Sequence, residues 1–162
     1  MAESIEARLK ELGLTLPTAA APLANYVPYL VSGNLLFISG QISKDAGGQV
    51  TKGCLGHVIS LAGATFDIEQ GQVAARQCAL HILAQAKAAL GSLDKIEQLL
   101  RLTGFVASTP DFFDQPQVVN GASDLLVAVL GDKGRHTRSA VGVVSLPAGA
   151  AVEIDAIIKV RT

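Results

Sequence analysis

Residues 67–107 read DIEQGQVAARQCALHILAQAKAALGSLDKIEQLLRLTGFVA, and their pattern decides the fold class. Asp67 followed three positions later by Gln70 is the pairing of a helix N-cap with its N3 partner. Ala75, Cys78, Ala79, Ile82, Ala86 and Ala89 then recur at helical spacing and Gly91 supplies a stop, which predicts a helix to about Leu90. A face made mostly of alanine has little bulk, so it is buried only by close approach to a flat partner. That implies a sheet. The apolar run Leu99–Ala107 directly afterwards reads as one of its central strands.

Working outwards, a second helix is expected over about Gln117–Leu130, with Pro110 and Pro116 confining its start to the region after Ser108. Two last strands, Arg138–Ser145 and Val152–Val160, read as a hairpin around Pro147-Ala148-Gly149. On the N-terminal side, Val27–Val31 and Leu35–Ser39 read as strands joined by a tight turn at Gly33-Asn34. Gly47-Gly48 marks another turn, with a short strand at Gln49–Lys52. Ile5, Leu9 and Leu12 form one stripe of a first helix ended by Gly13, and TLPTAAAP is an irregular arm. The order strands, helix, strand, helix, strands gives an α+β class: one domain, a mixed β-sheet with two long helices on one face and an extra N-terminal helix. The expected division is residues 1–24 for the helix and arm and 25–162 for the domain proper.

The chain has 162 residues, 49% of them hydrophobic, with a formal net charge of -1. That excludes intrinsic disorder, and 13 basic against 14 acidic side chains lack the positive excess of a nucleic-acid footprint. Charged residues make up 17%, below the roughly 25% of soluble domains, so part of the surface is expected to be hidden in an oligomer. Leu12–Ser43 carries no charge, yet Pro17, Pro22, Pro28, Asn25 and Gly33-Asn34 break it, and no run of about 20 apolar residues survives to span a membrane. The charged, amphipathic N-terminus lacks the apolar core of a signal peptide, and a cytoplasmic location is expected. Cys54 and Cys78 have no framework spacing and read as small buried hydrophobes.

Candidate chemistry is sparse. His57, His81 and His136 are scattered without ligand spacing, so no metal is expected; His81 falls on the flank of its helix and reads as an ordinary surface or interface residue. Phosphate-cradling glycine motifs and GxSxG are absent. On the strand after His136, alternation puts Arg138, Ala140, Gly142 and Val144 on one face. Arg138 has two readings: a solvated strand end, or a guanidinium clamping a substrate carboxylate with Glu153 on the neighbouring strand handling a water. Ser39-Gly40-Gln41 is either a turn or a polar site for an anion or polarised group.

Two segments, YVPYLVSGNLLFISGQIS (26–43) and TRSAVGVVSLPAGAAVEIDAI (137–157), give the chain a resemblance to the reactive intermediate deaminase family (Rid, or YjgF-type, in older usage L-PSP endoribonucleases). FVAS at 105–108 and Asn120 fit it more loosely, so the resemblance spans nearly the whole chain except the N-terminal helix and arm. It implies a YjgF-like, chorismate-mutase-like fold. It further implies a homotrimer with pockets between subunits, and hydrolysis of 2-imino or enamino acids to 2-keto acids and ammonia without metal or cofactor. It implies that Arg138 binds the substrate carboxylate, that Glu153 positions the attacking water, and that Tyr26, Ser39 and Gly40 line the pocket. The chain departs from the family at Ala140, where the best-known members have cysteine, at Ala24-Asn25-Tyr26 in place of GPY, and in a longer, proline-rich loop from Ser108 to Gln117. A non-catalytic trimer that binds small 2-keto or imino acids uses the same Arg138. An endoribonuclease fits worse, given the charge balance, two Tyr, five Phe, no Trp and no histidine pair.

Overall fold

The structure, a computed structural model, describes residues 4–21, 24–56 and 64–161; His57 and Pro22 lie outside them. The first helix, α1 (Ile5–Glu11), is capped by the Ser4 side chain accepting from the Ala7 N–H. Its Ile5 and Leu9 are buried in the main core. The Ile5 N–H donates to Asp94 Oδ1 at 2.8 Å and Glu6 Oε1 accepts from the Leu93 N–H at 3.2 Å, which docks the helix on the rest of the chain.

The elements that follow are β1 (Tyr29–Ser32), β2 (Leu35–Ile42), β3 (Gly53–Leu55), β4 (Ala64–Phe66), α2 (Ile68–Leu90), β5 (Ile96–Ala107), α3 (Gln115–Leu130), β6 (Thr137–Val143) and β7 (Val152–Val160). Five strands form a mixed sheet in the order β1-β2-β7-β5-β6, and β3 pairs with β4 in a separate parallel ribbon. Only β5 and β6 run parallel in the main sheet. This is the α+β architecture expected from the helix and strand order, with α2 and α3 on one face.

Helix α2 has both halves of the capping box, Asp67 accepting from the Gln70 N–H and the Gln70 side chain accepting from the Asp67 N–H, and it ends at Gly91 in the left-handed region. Ala75, Cys78, Ala79, Ile82 and Ala86 are fully buried. Facing them, β7 alternates Val152, Ile154, Ala156, Ile158 and Val160 into the core, while Glu153, Asp155, Ile157 and Lys159 turn to the other side. Helices α2 and α3 meet through glycine: a Cβ on Gly121 would overlap the backbone carbonyl of Gln72 and lie 2.8 Å from its carbonyl carbon. Gln72 Nε2 donates to Gln117 O at 2.9 Å beside this crossing. Both cysteines are free and buried. Among the described residues no helix is long and apolar enough to cross a membrane.

The structure corrects several expectations. β1 starts at Tyr29, leaving Val27 and Pro28 outside it, and β2 runs on to Ile42. Gln49–Lys52 makes only isolated bridges, Val50 to Lys44 and Lys52 to Ala150. β6 and β7 are not a hairpin, because β5 lies between them, parallel to β6 and antiparallel to β7. Two strands joined by a short link look alike in sequence whether they pair directly or straddle a third. The pairing partner comes from elsewhere in the chain, and local pattern does not report it.

Candidate active site

β1 covers β2 only as far as Ile38, which pairs with Tyr29. The arm continues for one step more, with the Ser39 N–H donating to Pro28 O at 3.0 Å and the Ser39 hydroxyl donating to Val27 O at 2.7 Å. Between Ile38 and Gln41 the β2–β7 register slips by a bulge. Leu36 and Ile38 point into the core before it, Gln41 and Ser43 after it, so Gly40 and Ile42 share the helix-free side with Glu153. A cavity of about 540 Å³ opens at this uncovered edge. Tyr26, Gly40, Pro147 and Glu153 line it, with Lys44, His81 and Gln85 at the α2 end.

Gly40 is there for space. A Cβ on it would overlap the Glu153 carboxylate, 2.9 Å from Cδ, so only glycine lets the carboxylate lie across the strand. Burial, and then the charge of Asp155 two residues on, push the Glu153 carboxyl above its usual range. A carboxylate shifted that way is a better proton acceptor near neutral pH. Hollows of about 660 and 800 Å³ lie elsewhere, but neither is lined by Tyr26, Ser39, Gly40, Arg138 or Glu153.

Tyr26, Gly40 and Glu153 are therefore brought together. Ser39 borders the adjoining cleft with Tyr29 and Asp155. Its proton is committed to Val27, which leaves its oxygen as an acceptor. Arg138 stands apart. It pairs across β5–β6 with the buried Leu102, and Ala140 with Gly104, so it faces the helix side of the sheet. Its Nη1 donates to Ser123 Oγ and its Nη2 to Pro116 O, both at 3.0 Å, from α3. Arg138 and Glu153 thus occupy opposite faces of the sheet on strands separated by β5. About 14 Å, three strand spacings, separates the β6 edge from β2. The expectation that Glu153 lies on the strand neighbouring Arg138 fails with the hairpin reading that produced it.

The expectation for His81 also fails. Its side chain is buried, with the residue 6% exposed, and Nε2 has no hydrogen-bond partner. Burial, and then the Lys44 ammonium, hold the ring below the usual imidazole value, against a smaller opposing contribution from the Lys44 backbone. The signal lay in the spacing: His81 is three residues after Cys78 and four before Gln85, both buried. Lys44 and Gln85 had no counterpart in the sequence reading. Among the described residues, no three His, Cys, Asp or Glu side chains gather as a metal site requires.

A family model described as "YjgF/chorismate mutase-like, putative endoribonuclease" matches residues 6–154. Protein TCP17 of Trypanosoma cruzi is 48% identical over 159 residues, which is 97% of this chain and 94% of that protein. The crystal structure of Atu1372, a protein with unknown function from Agrobacterium tumefaciens, is 51% identical with a TM-score of 0.86, over 97% of this chain and 92% of that one. The YjgF gene product of E. coli is 25% identical with a TM-score of 0.58, over 91% of this chain and 98% of that one.

Proposed function

Since this chain belongs to the YjgF/chorismate mutase-like family, we propose that it hydrolyses reactive 2-imino and enamino acids to 2-keto acids and ammonia. The observation that carries this reading is the Glu153 carboxylate, half-buried, raised in pKa and laid over Gly40 in an open cavity. In the reaction, Glu153 takes a proton from water as the oxygen adds to the C=N carbon. Glu153 returns that proton to the nitrogen, and the new hydroxyl's proton then passes to the nitrogen as the C–N bond breaks, so that ammonia leaves and a carbonyl remains. The Ser39 oxygen, its own proton held by Val27, accepts from the substrate N–H. Arg138 binds the carboxylate through paired N–H donors.

A substrate held by Arg138 and attacked beside Glu153 needs both edges of the sheet, so the working site takes Arg138 from one copy and Glu153 from the next. Such a head-to-tail contact closes into a ring, and the proposed assembly is a homotrimer. Exposed Leu30, Phe37, Val141 and Val144 along these edges and the helix-free face support it.

The test couples the protein to a threonine dehydratase that generates 2-iminobutanoate and follows ammonia release. Wild type should accelerate it. Glu153→Gln should lower kcat by about a hundredfold or more while 2-oxobutanoate still binds. Wild-type binding of that keto acid with no acceleration would replace the enzyme by a metabolite-binding protein.

A further inference from the structure

Arg138 is tethered from behind by a chain of hydrogen bonds in which each link has one workable direction. His136 Nδ1 lies 2.6 Å from the Gly134 carbonyl oxygen, so this nitrogen carries the proton and donates it. Nε2 is then a bare lone pair, and the Ser123 hydroxyl, 3.0 Å away, donates to it. With its proton committed, Ser123 Oγ offers its lone pairs to Arg138, whose Nη1 donates at 3.0 Å. Pro116 O takes the second tether, from Nη2. Pro116 and Ser123 are seven residues apart on α3, two turns along one face. Burial foremost, with the nearby Arg138 charge, holds the His136 ring below the usual imidazole value against the Gly134 carbonyl, in keeping with a neutral ring.

We propose that His136 and Ser123 are positioning residues that fix the Arg138 guanidinium in one orientation, with its unused N–H donors turned to the substrate carboxylate. This rests on the carboxylate role of Arg138 given above. A guanidinium carries five N–H donors. The two tethers use one from each terminal nitrogen, and three remain, enough for a bidentate pair. β6 is an edge strand, so without α3 a long arginine side chain there would sample many rotamers and lose that freedom at each binding event. The tethers move that loss into folding.

Two readouts on the full assembly test this. In ¹⁵N-labelled protein the Arg138 Nη–H signals, assigned by their absence in Arg138→Lys, should be separate in wild type because the tethers hinder rotation. They should merge in Ser123→Ala and stay separate in Ser123→Thr, which keeps the hydroxyl. In the imine assay Ser123→Ala should raise KM about three- to tenfold, the loss of one hydrogen bond's net contribution, with kcat within about twofold. Ser123→Thr should restore KM, and His136→Leu should follow Ser123→Ala while His136→Gln, whose amide oxygen can accept from Ser123, stays near wild type. Signals unchanged in Ser123→Ala overturn the proposal, as do merged signals with KM unchanged. Arg138→Ala run alongside separates the two levels. If it alters KM and Ser123→Ala does not, only the positioning role fails; if neither does, the carboxylate role fails as well.

Discussion

Arg138→Lys should lower kcat/KM for an imino acid almost as far as Arg138→Ala, by about a hundredfold or more in both. A charge-assisted hydrogen bond contributes about 1.5–3 kcal/mol, and every 1.4 kcal/mol is about tenfold in rate. Losing one such bond and the planar alignment of the other is therefore sufficient. Lysine is the informative replacement because of where the native side chain is held. Its ammonium has three donors and can satisfy Ser123 Oγ and Pro116 O, so the contact between β6 and α3 survives. It has no second planar pair for a carboxylate. A purely structural Arg138 would be rescued by lysine, and a ligand-binding one would not. Steady-state kinetics with light scattering on both variants decides. Wild-type activity in Arg138→Ala ends the carboxylate reading, and a single-chain mass in that variant assigns Arg138 to assembly.

Gly121→Ala should be strongly destabilising for the addition of a single methyl group. The methyl would meet the Gln72 backbone, which cannot rotate aside as a side chain can, so α2 and α3 must separate. Overpacking of this kind costs about 3 kcal/mol. Alanine's better helix propensity returns up to about 1 kcal/mol, leaving a net loss of about 2 kcal/mol. For a chain of this size that is a fall in Tm of about 4–8 °C. Differential scanning calorimetry reads it directly, and an unchanged or raised Tm would show that the helices do not cross this closely. Gly104 plays the matching part on the sheet side, where an added Cβ would come 2.7 Å from Val119 Cγ2. Helix α3 is thus seated by a glycine at each contact, its own Gly121 against α2 and Gly104 of β5 against its Val119.

What the sequence made legible was local. The Asp67–Gln70 cap, the alanine stripe and Gly91 fix α2 because helix signals act within a few residues. The strand Val152–Val160 was legible, with its bounds, for the same reason. The β2 bulge was illegible, since one extra residue at Ser39-Gly40 changes which side of the sheet the later residues face without leaving any mark in composition. His81 was misjudged because a polar residue beside an apolar stripe looks solvated when only its own helix is in view, and what packs over it comes from elsewhere in the chain. Arg138 and Glu153 were assigned correctly to strands but wrongly to each other, because strand order is set by β5 from thirty residues and more away. As for the site, Tyr26, Gly40 and Glu153 do share a cavity, and the position of Arg138 at the far edge was beyond any pattern within its own strand.

In the proposed trimer, that separation of Arg138 from Glu153 has a genetic consequence. In a ring where each site borrows its arginine from one copy and its glutamate from the next, a loss at either residue does not doom the other copies. A subunit without the arginine still lends its glutamate backwards, and one without the glutamate still lends its arginine forwards. In any three-membered ring mixing the two defective chains, one site has both groups intact, and random mixing in equal amounts leaves about a quarter of all sites whole. Two null alleles would complement each other in the same cell.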